Sequence, residues 1–346
     1  MDFRTLVDLP VKQLKINHSH KIMMLGSCFA ENIGRKLQEN KFRCDINPYG
    51  VLYNPCSLAS AMCEVNGRKV YTEDDLFFRQ GQWHSSMHHS SFSDESKEVC
   101  LHRINERIRH TFEVLQTLDY VIITLGSAYI YKDKETGRVV GNCHKLPEKS
   151  FDRYCIGNLE ELKSEIKTLK DLFLSHHSGV KLIFTVSPIR HIRDGLHENQ
   201  MSKAMLMACM LDKELIDNEH AFYFPAYEIM MDELRDYRFY ADDMVHPSEL
   251  AINYIWECFS KSYFDKNTIL LIKEWNEIKK ALNHKPFRAD SEEYKSFLRQ
   301  IVLKIDRIPS RRGPFAAQSR LEPEPYSLPA ITASGVPSAL YSIAAS

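Results

Sequence analysis

The sequence predicts an α/β domain, a three-layer α/β/α arrangement in which a mostly parallel sheet carries helices on both faces. Short apolar runs at residues 22–25, 120–125, 181–186 and 221–224 read as buried strands, the first three closed by Gly26, Gly126 and Ser187-Pro188. Between them lie segments with helical apolar spacing: Ile33 and Leu37 in residues 30–40, Leu101 to Leu115 in residues 97–118, and Leu162, Ile166, Leu169 and Phe173 in residues 159–174. Strands that alternate with helices form a parallel sheet wound on both faces, with the site at the strands' carboxyl ends. The chemically reactive residues of this chain fall at such ends or in loops.

Residues 129–131 and 138–140, joined through a polar turn, predict a hairpin inserted after the second strand. The spacing predicts further helices over residues 201–211 and 250–259, then two over 269–282 and 292–305. Residues 71–93 are polar and aromatic without a clear period. From Pro309 the chain turns rich in Pro, Ala and Ser, too little apolar area to order a core. The expected organisation is an α/β domain over residues 1–265, a helical extension over 266–306, and a surface-lying or disordered tail over 307–346.

At 346 residues with 44% hydrophobic side chains, the chain can bury a substantial core. A net charge of −1 provides no field that would draw nucleic acid or an anionic membrane. The first residues lack a basic segment followed by an apolar one, and no apolar run approaches the ~18 residues of a membrane span, so a cytoplasmic protein is expected. Nine scattered cysteines, never spaced C-x-x-C, read as reduced thiols rather than disulfides or a zinc site.

Two segments suggest chemistry. Residues 22–25 run into Gly26-Ser27-Cys28, a strand ending in a tight turn with a small nucleophile where a helix begins. About two hundred residues later, Asp243 precedes His246 by three positions, so the carboxylate can orient the imidazole as a general base. Brought together, these segments form an activated-nucleophile triad. A second set, Arg190, His191 and Lys203, can form an anion pocket or lie on solvated faces. The imidazoles of His84, His88 and His89 lack a carboxylate or thiolate at ligand spacing, and no metal is expected there.

The string Gly26-Ser27-Cys28-Phe29-Ala30 resembles the signature of the bacterial GSCFA family, within the SGNH (GDSL-like) hydrolase superfamily. Residues 47–50, 124–126, 142–146, 185–190, 202–204 and 243–247 share the likeness, which covers roughly residues 20–260. The resemblance implies a flavodoxin-like (SGNH hydrolase) fold. The superfamily's first block is Gly-Asp-Ser, so Cys28 falls at the nucleophile and Ser27 where Asp belongs. The register favours Cys28, with Ser27 as the alternative nucleophile or a helix N-cap, and Asp242 competes with Asp243 for the carboxylate role. The resemblance also implies donors to an oxyanion. Gly50 is a candidate, or else a turn glycine. The third block, Gly126-Ser127-Ala128, supplies Gly126 as a further substrate or oxyanion candidate but lacks the superfamily's Asn; the backbone N–H of Cys28 can contribute instead, as can Asn142, whose neighbours Cys143, His144 and Lys145 share the family pattern.

On this reading the chain is an acyl-ester hydrolase or acyltransferase acting on a small-molecule or carbohydrate ester, without a cofactor. The alternative is a carbohydrate- or anion-binding module that keeps the fold after losing efficient catalysis. A thiol acidified by the helix N-terminus and an imidazolium is expected only of the enzyme.

Overall fold

A computed structural model of the chain describes residues 4–10, 14–141, 148–282 and 291–312. It runs β1 (Lys21–Gly26), α1 (Cys28–Glu39), β2 (Arg43–Ile46), α2 (Pro55–Asn66), β3 (Leu76–Arg79), β4 (Gln82–Ser85), α3 (Lys97–Leu115), β5 (Tyr120–Leu125), β6 (Tyr129–Asp133) and β7 (Phe151–Cys155). Then follow α4 (Leu159–His176), β8 (Lys181–Val186), α5 (Leu196–Cys209), β9 (Ala221–Phe224), the short α6 (Ala226–Glu228) and α7 (Glu249–Tyr263). Helices α8 (Lys266–Leu282) and α9 (Glu292–Arg312) belong to a second compact unit, residues 15–19 and 264–346, distinct from the first, residues 1–14 and 20–263.

Five strands form a parallel sheet in the order β2-β1-β5-β8-β9, the three-layer α/β/α architecture that the alternation predicts. Successive residues of a strand point to opposite faces. Met23, Leu25, Val121, Ile123, Leu182 and Phe184 accordingly enter the core shared with α2 to α5. On the other face α1 buries Phe29, Ile33 and Leu37, each contributing about 1.5–3 kcal/mol of apolar burial. The chain winds from β1 outward to β2, then crosses to β5 on β1's other side. Strand order therefore reverses between β1 and β5, and the crevice above their carboxyl ends is the natural place for a ligand.

The hairpin after β5 differs from expectation. Residues 133–138 do make the turn, with Lys132 bridged to Val139, but the strand that pairs antiparallel with β6 is β7. The polar stretch at 71–93 holds another hairpin, β3 with β4, closed by Gln80 and Gly81 at φ 51° and 80°. Those positive values match the twist of a two-residue turn. Helix α9 runs past the expected end at residue 305 to Arg312, through Pro309. A proline late in a helix removes one backbone donor in the last turns. In the second unit, Ile278 of α8 and Ile301 of α9 are buried against Trp275 and Phe297. The tail beyond residue 312, and the candidates Asn142 and His144, lie outside the described residues. No helix among the described residues is long and apolar enough to cross a membrane.

Candidate functional site

The carboxyl end of β1 is built around a glycine. Gly26 has φ +127°, and a methyl group there would sit 2.0 Å from the backbone oxygen of Thr124 on β5. Only glycine lets the two strands approach so closely while the chain turns into α1. The Gly26 N–H donates to Asn47 Oδ1 at 2.8 Å. Ser27 is fully buried and caps α1, its Oγ accepting from the Phe29 N–H at 3.3 Å and donating to Ser187 Oγ at 3.0 Å. Its hydroxyl is thus committed to the fold. Cys28, the first residue of α1, is half-buried.

The thiol is not acidified as expected. Burial and the nearby Glu31 carboxylate push its pKa up, while the Tyr53 phenol, its own backbone N–H and Arg35 pull it down. Desolvation wins over the helix N-terminus. His246 is not among the main influences on the thiol.

Asp243 and His246 form the expected pair. His246 Nδ1 lies 2.6 Å from Asp243 Oδ2, while Asp243 Oδ1 accepts from the N–H groups of Val245 and His246, each at 2.9 Å. These bonds, the His246 backbone first, hold the exposed carboxyl at about 2. The loop turns through Met244 at φ 58°, a left-handed value unusual for a side chain with a Cβ. Nothing gives Asp242 a comparable contact with the imidazole. The loop is stitched to the chain leaving β8: the Arg190 N–H donates to Val245 O at 3.2 Å and Arg190 Nη1 to Met244 O at 3.1 Å. Because β1, β5 and β8 are parallel, the Asp–His loop reaches the same edge of the sheet as Cys28.

Arg190 therefore holds the loop, and its guanidinium lies over the Tyr240 ring at 5.4 Å. Two proposed oxyanion donors are occupied: the Gly50 N–H donates to Asn47 O at 2.7 Å, and the Gly126 N–H to Tyr53 O at 2.7 Å. Gly50, at φ +80°, is the turn glycine, its Cα packed against His89. The Ser127 N–H also donates to Tyr53 O, at 3.0 Å.

Lys203 is neither in a solvated face nor in an open anion pocket. It is fully buried, and Nζ donates to Gly126 O at 2.6 Å and Ser187 O at 2.7 Å, tying the ends of β5 and β8 together. Burial draws its pKa down to about 7. His191 packs edge-on to Tyr53, with ring centroids 5.3 Å apart, and its Nε2 is buried without a hydrogen-bond partner among the described residues. Burial, then Lys203, Arg153 and His246, hold this imidazole neutral with a pKa of about 3.

His84, His88 and His89 are structural. His84 bonds Ser93 Oγ and Arg79 O, His89 bonds Ser91, and His88 stacks on Tyr49 at 4.1 Å with Nδ1 3.0 Å from Ser85 Oγ. Among the described residues no cluster of His, Cys, Asp and Glu is arranged to hold a metal. Sequence reasoning missed Tyr53, which lies in a loop with no periodicity or motif of its own.

Fold and site together define an α/β/α protein with a half-buried thiol at the carboxyl end of β1 and an Asp–His pair on a loop bonded to the chain leaving β8. The chain belongs to the GSCFA family, whose model matches residues 21–259, and the C-terminal domain of GSCFA domain proteins matches residues 275–316. No curated protein matches the chain.

Proposed function

We propose that the chain is an SGNH-type acyl-ester hydrolase or acyltransferase with Cys28 as nucleophile, His246 as general base and Asp243 as the group that orients it. The observation that carries this reading is the Asp243–His246 hydrogen bond of 2.6 Å on a loop stitched to the sheet edge where Cys28 opens α1. Asp243 fixes the proton on Nδ1, so Nε2 is the nitrogen that accepts one from a nucleophile. Ser27 is buried and committed as a cap, which leaves Cys28 as the available nucleophile at this turn. The sulfur attacks the ester carbonyl, and the departing alcohol oxygen takes the proton back from His246. Water then completes hydrolysis, or a sugar hydroxyl completes transfer. A thiol raised by burial rests protonated, so attack depends on the base.

A second reading, a carbohydrate- or anion-binding module of the same fold, is favoured by that raised thiol and by the occupied amides of Gly50, Gly126 and Ser127. The test is a panel of activated and acetylated-sugar esters assayed with the parent and with Cys28→Ala. Turnover abolished by the substitution supports the enzyme. A parent inactive on every ester, yet retaining a sugar or anion in equilibrium binding, supports the module.

A further inference from the structure

The loop over residues 187–195, which joins β8 to α5, is bonded to a different neighbour on each side. On one side Arg190 donates to the Asp243–His246 loop, its N–H to Val245 O at 3.2 Å and its Nη1 to Met244 O at 3.1 Å. On the other, Asp194 pairs through both carboxylate oxygens with Arg153 Nη1 and Nη2 on β7. The Asp194 side chain is 4% exposed and that of Arg153 22%, so the pair is shielded from solvent and its direction is fixed by two contacts.

Arg153 is itself gripped by the β6–β7 hairpin. Its Nε donates to Tyr131 Oη at 2.5 Å, and its guanidinium lies over the rings of Tyr129 at 4.3 Å and Tyr131 at 5.1 Å. Between its two ends the loop is tied down: the His191 N–H donates to Oδ1 of the buried Asn199 at 2.8 Å, and the His191 ring packs on Tyr53. The hairpin starts four residues after the carboxyl end of β5. Hairpin, loop 187–195 and the Asp243–His246 loop therefore form one bonded series beside that edge of the sheet.

We propose that Arg153 and Asp194 are positioning residues for His246: the β6–β7 hairpin places loop 187–195, and through Arg190 that loop places the Asp243–His246 turn. This rests on the reading of His246 as general base. The turn's own bonds, from the Val245 and His246 N–H groups to Asp243 and from the Ala241 N–H to His246 O at 2.8 Å, fix its shape. Those from Arg190 tie it to the chain leaving β8, and so govern where the imidazole stands. No proton or charge passes along the series; it acts through contiguous bonded geometry. Removing one member of the buried pair leaves the other charge unpaired, which releases the hairpin side of the loop.

The experiment is Asp194→Asn in the full chain, which keeps the side chain's shape and removes the charge that holds Arg153. Amide hydrogen exchange over residues 240–247 and over α1 is measured beside steady-state turnover of an activated short-chain ester. The expected result is exchange about tenfold faster over 240–247 with α1 as in the parent, and kcat about tenfold lower with KM nearly unchanged, because the base is misplaced while substrate still binds. Unchanged exchange over 240–247 overturns the proposal, and so does an equal rise in α1, which would mean that the pair only stabilises the fold. A loosened turn with kcat unchanged also overturns it. If Asp194→Asn does not fold, Arg153→Met combined with Asp194→Leu removes the pair without leaving a lone buried charge, and the same two segments decide. Should Cys28→Ala keep full turnover, or the parent turn over no ester, the enzyme reading fails separately, and exchange alone decides whether the hairpin holds the turn.

Discussion

The two halves of the candidate site are built from opposite materials. Cys28 stands on a buried frame: a glycine that permits strand contact, a buried cap and a phenol anchored through its own carbonyl. His246 stands on an exposed loop that turns through a left-handed methionine and is held by Arg190. Burial governs the thiol and raises its pKa; local hydrogen bonds govern Asp243 and lower it to about 2. The proposed nucleophile is positioned by the fold's core, whereas the proposed base is positioned by a four-residue turn held by Arg190. The first cannot be altered without disturbing the sheet, and the second can.

The largest expected effect would break the comparison if absent. Cys28→Ala and His246→Ala should each lower ester turnover by at least about 10³-fold and to similar levels, since either change disables one shared step. Asp243→Asn should fall between them and the parent, because it keeps the shape of the pair and loses the charge. Steady-state kinetics on purified variants decide this, and a fully active Cys28→Ala excludes the thiol.

On the frame side, Gly26→Ala forces a methyl group onto the Thr124 carbonyl and should cost about 3 kcal/mol or more, measured by urea unfolding. A cost below about 1 kcal/mol would show that the β1–β5 approach can relax.

Acid should loosen the buried frame before the exposed loop. His88 has its pKa lowered to about 3, by burial first and then by Lys69. The unfolded chain therefore binds a proton that the folded chain refuses. Stability is complete above the ordinary imidazole range and is lost as pH falls from about 6.5 toward 3, by about 2 kcal/mol at pH 5 for one such group. His191 adds a contribution of the same sign. In chemical unfolding at pH 5 and 7.5, His88→Phe should flatten this slope by about that amount.

The smallest effect lies in the loop. Met244→Gly removes a Cβ from a backbone at φ 58° and should raise stability by up to about 1 kcal/mol, read from the thermal midpoint. A loss of stability would show that the methionine side chain, 47% exposed, holds the turn.

Much of this frame was legible before any coordinates. β5 and β8 coincide with continuous apolar runs because central strands of a parallel sheet are buried on both faces. β2 was illegible because Arg43-Cys44-Asp45-Ile46 is a half-buried edge, with Asp45 ion-paired to Arg107. Helix α2 escaped because it is buried nearly all round, from Pro55 to Val65, and shows no single apolar stripe. In the candidate site, the Ser27 cap and the Asp243–His246 pair were legible because each is made by residues two or three positions apart. Tyr53, and the burial of Lys203, depend on contacts across the fold that sequence spacing does not encode.

The buried amine of Lys203 has a further consequence. Burial alone lowers its pKa to about 7, well below that of an exposed lysine. In the folded chain it is sealed between two strand ends. Its rate of labelling by an acylating reagent is therefore a clock for local opening, counting how often the carboxyl edge of the sheet parts enough to admit a small molecule.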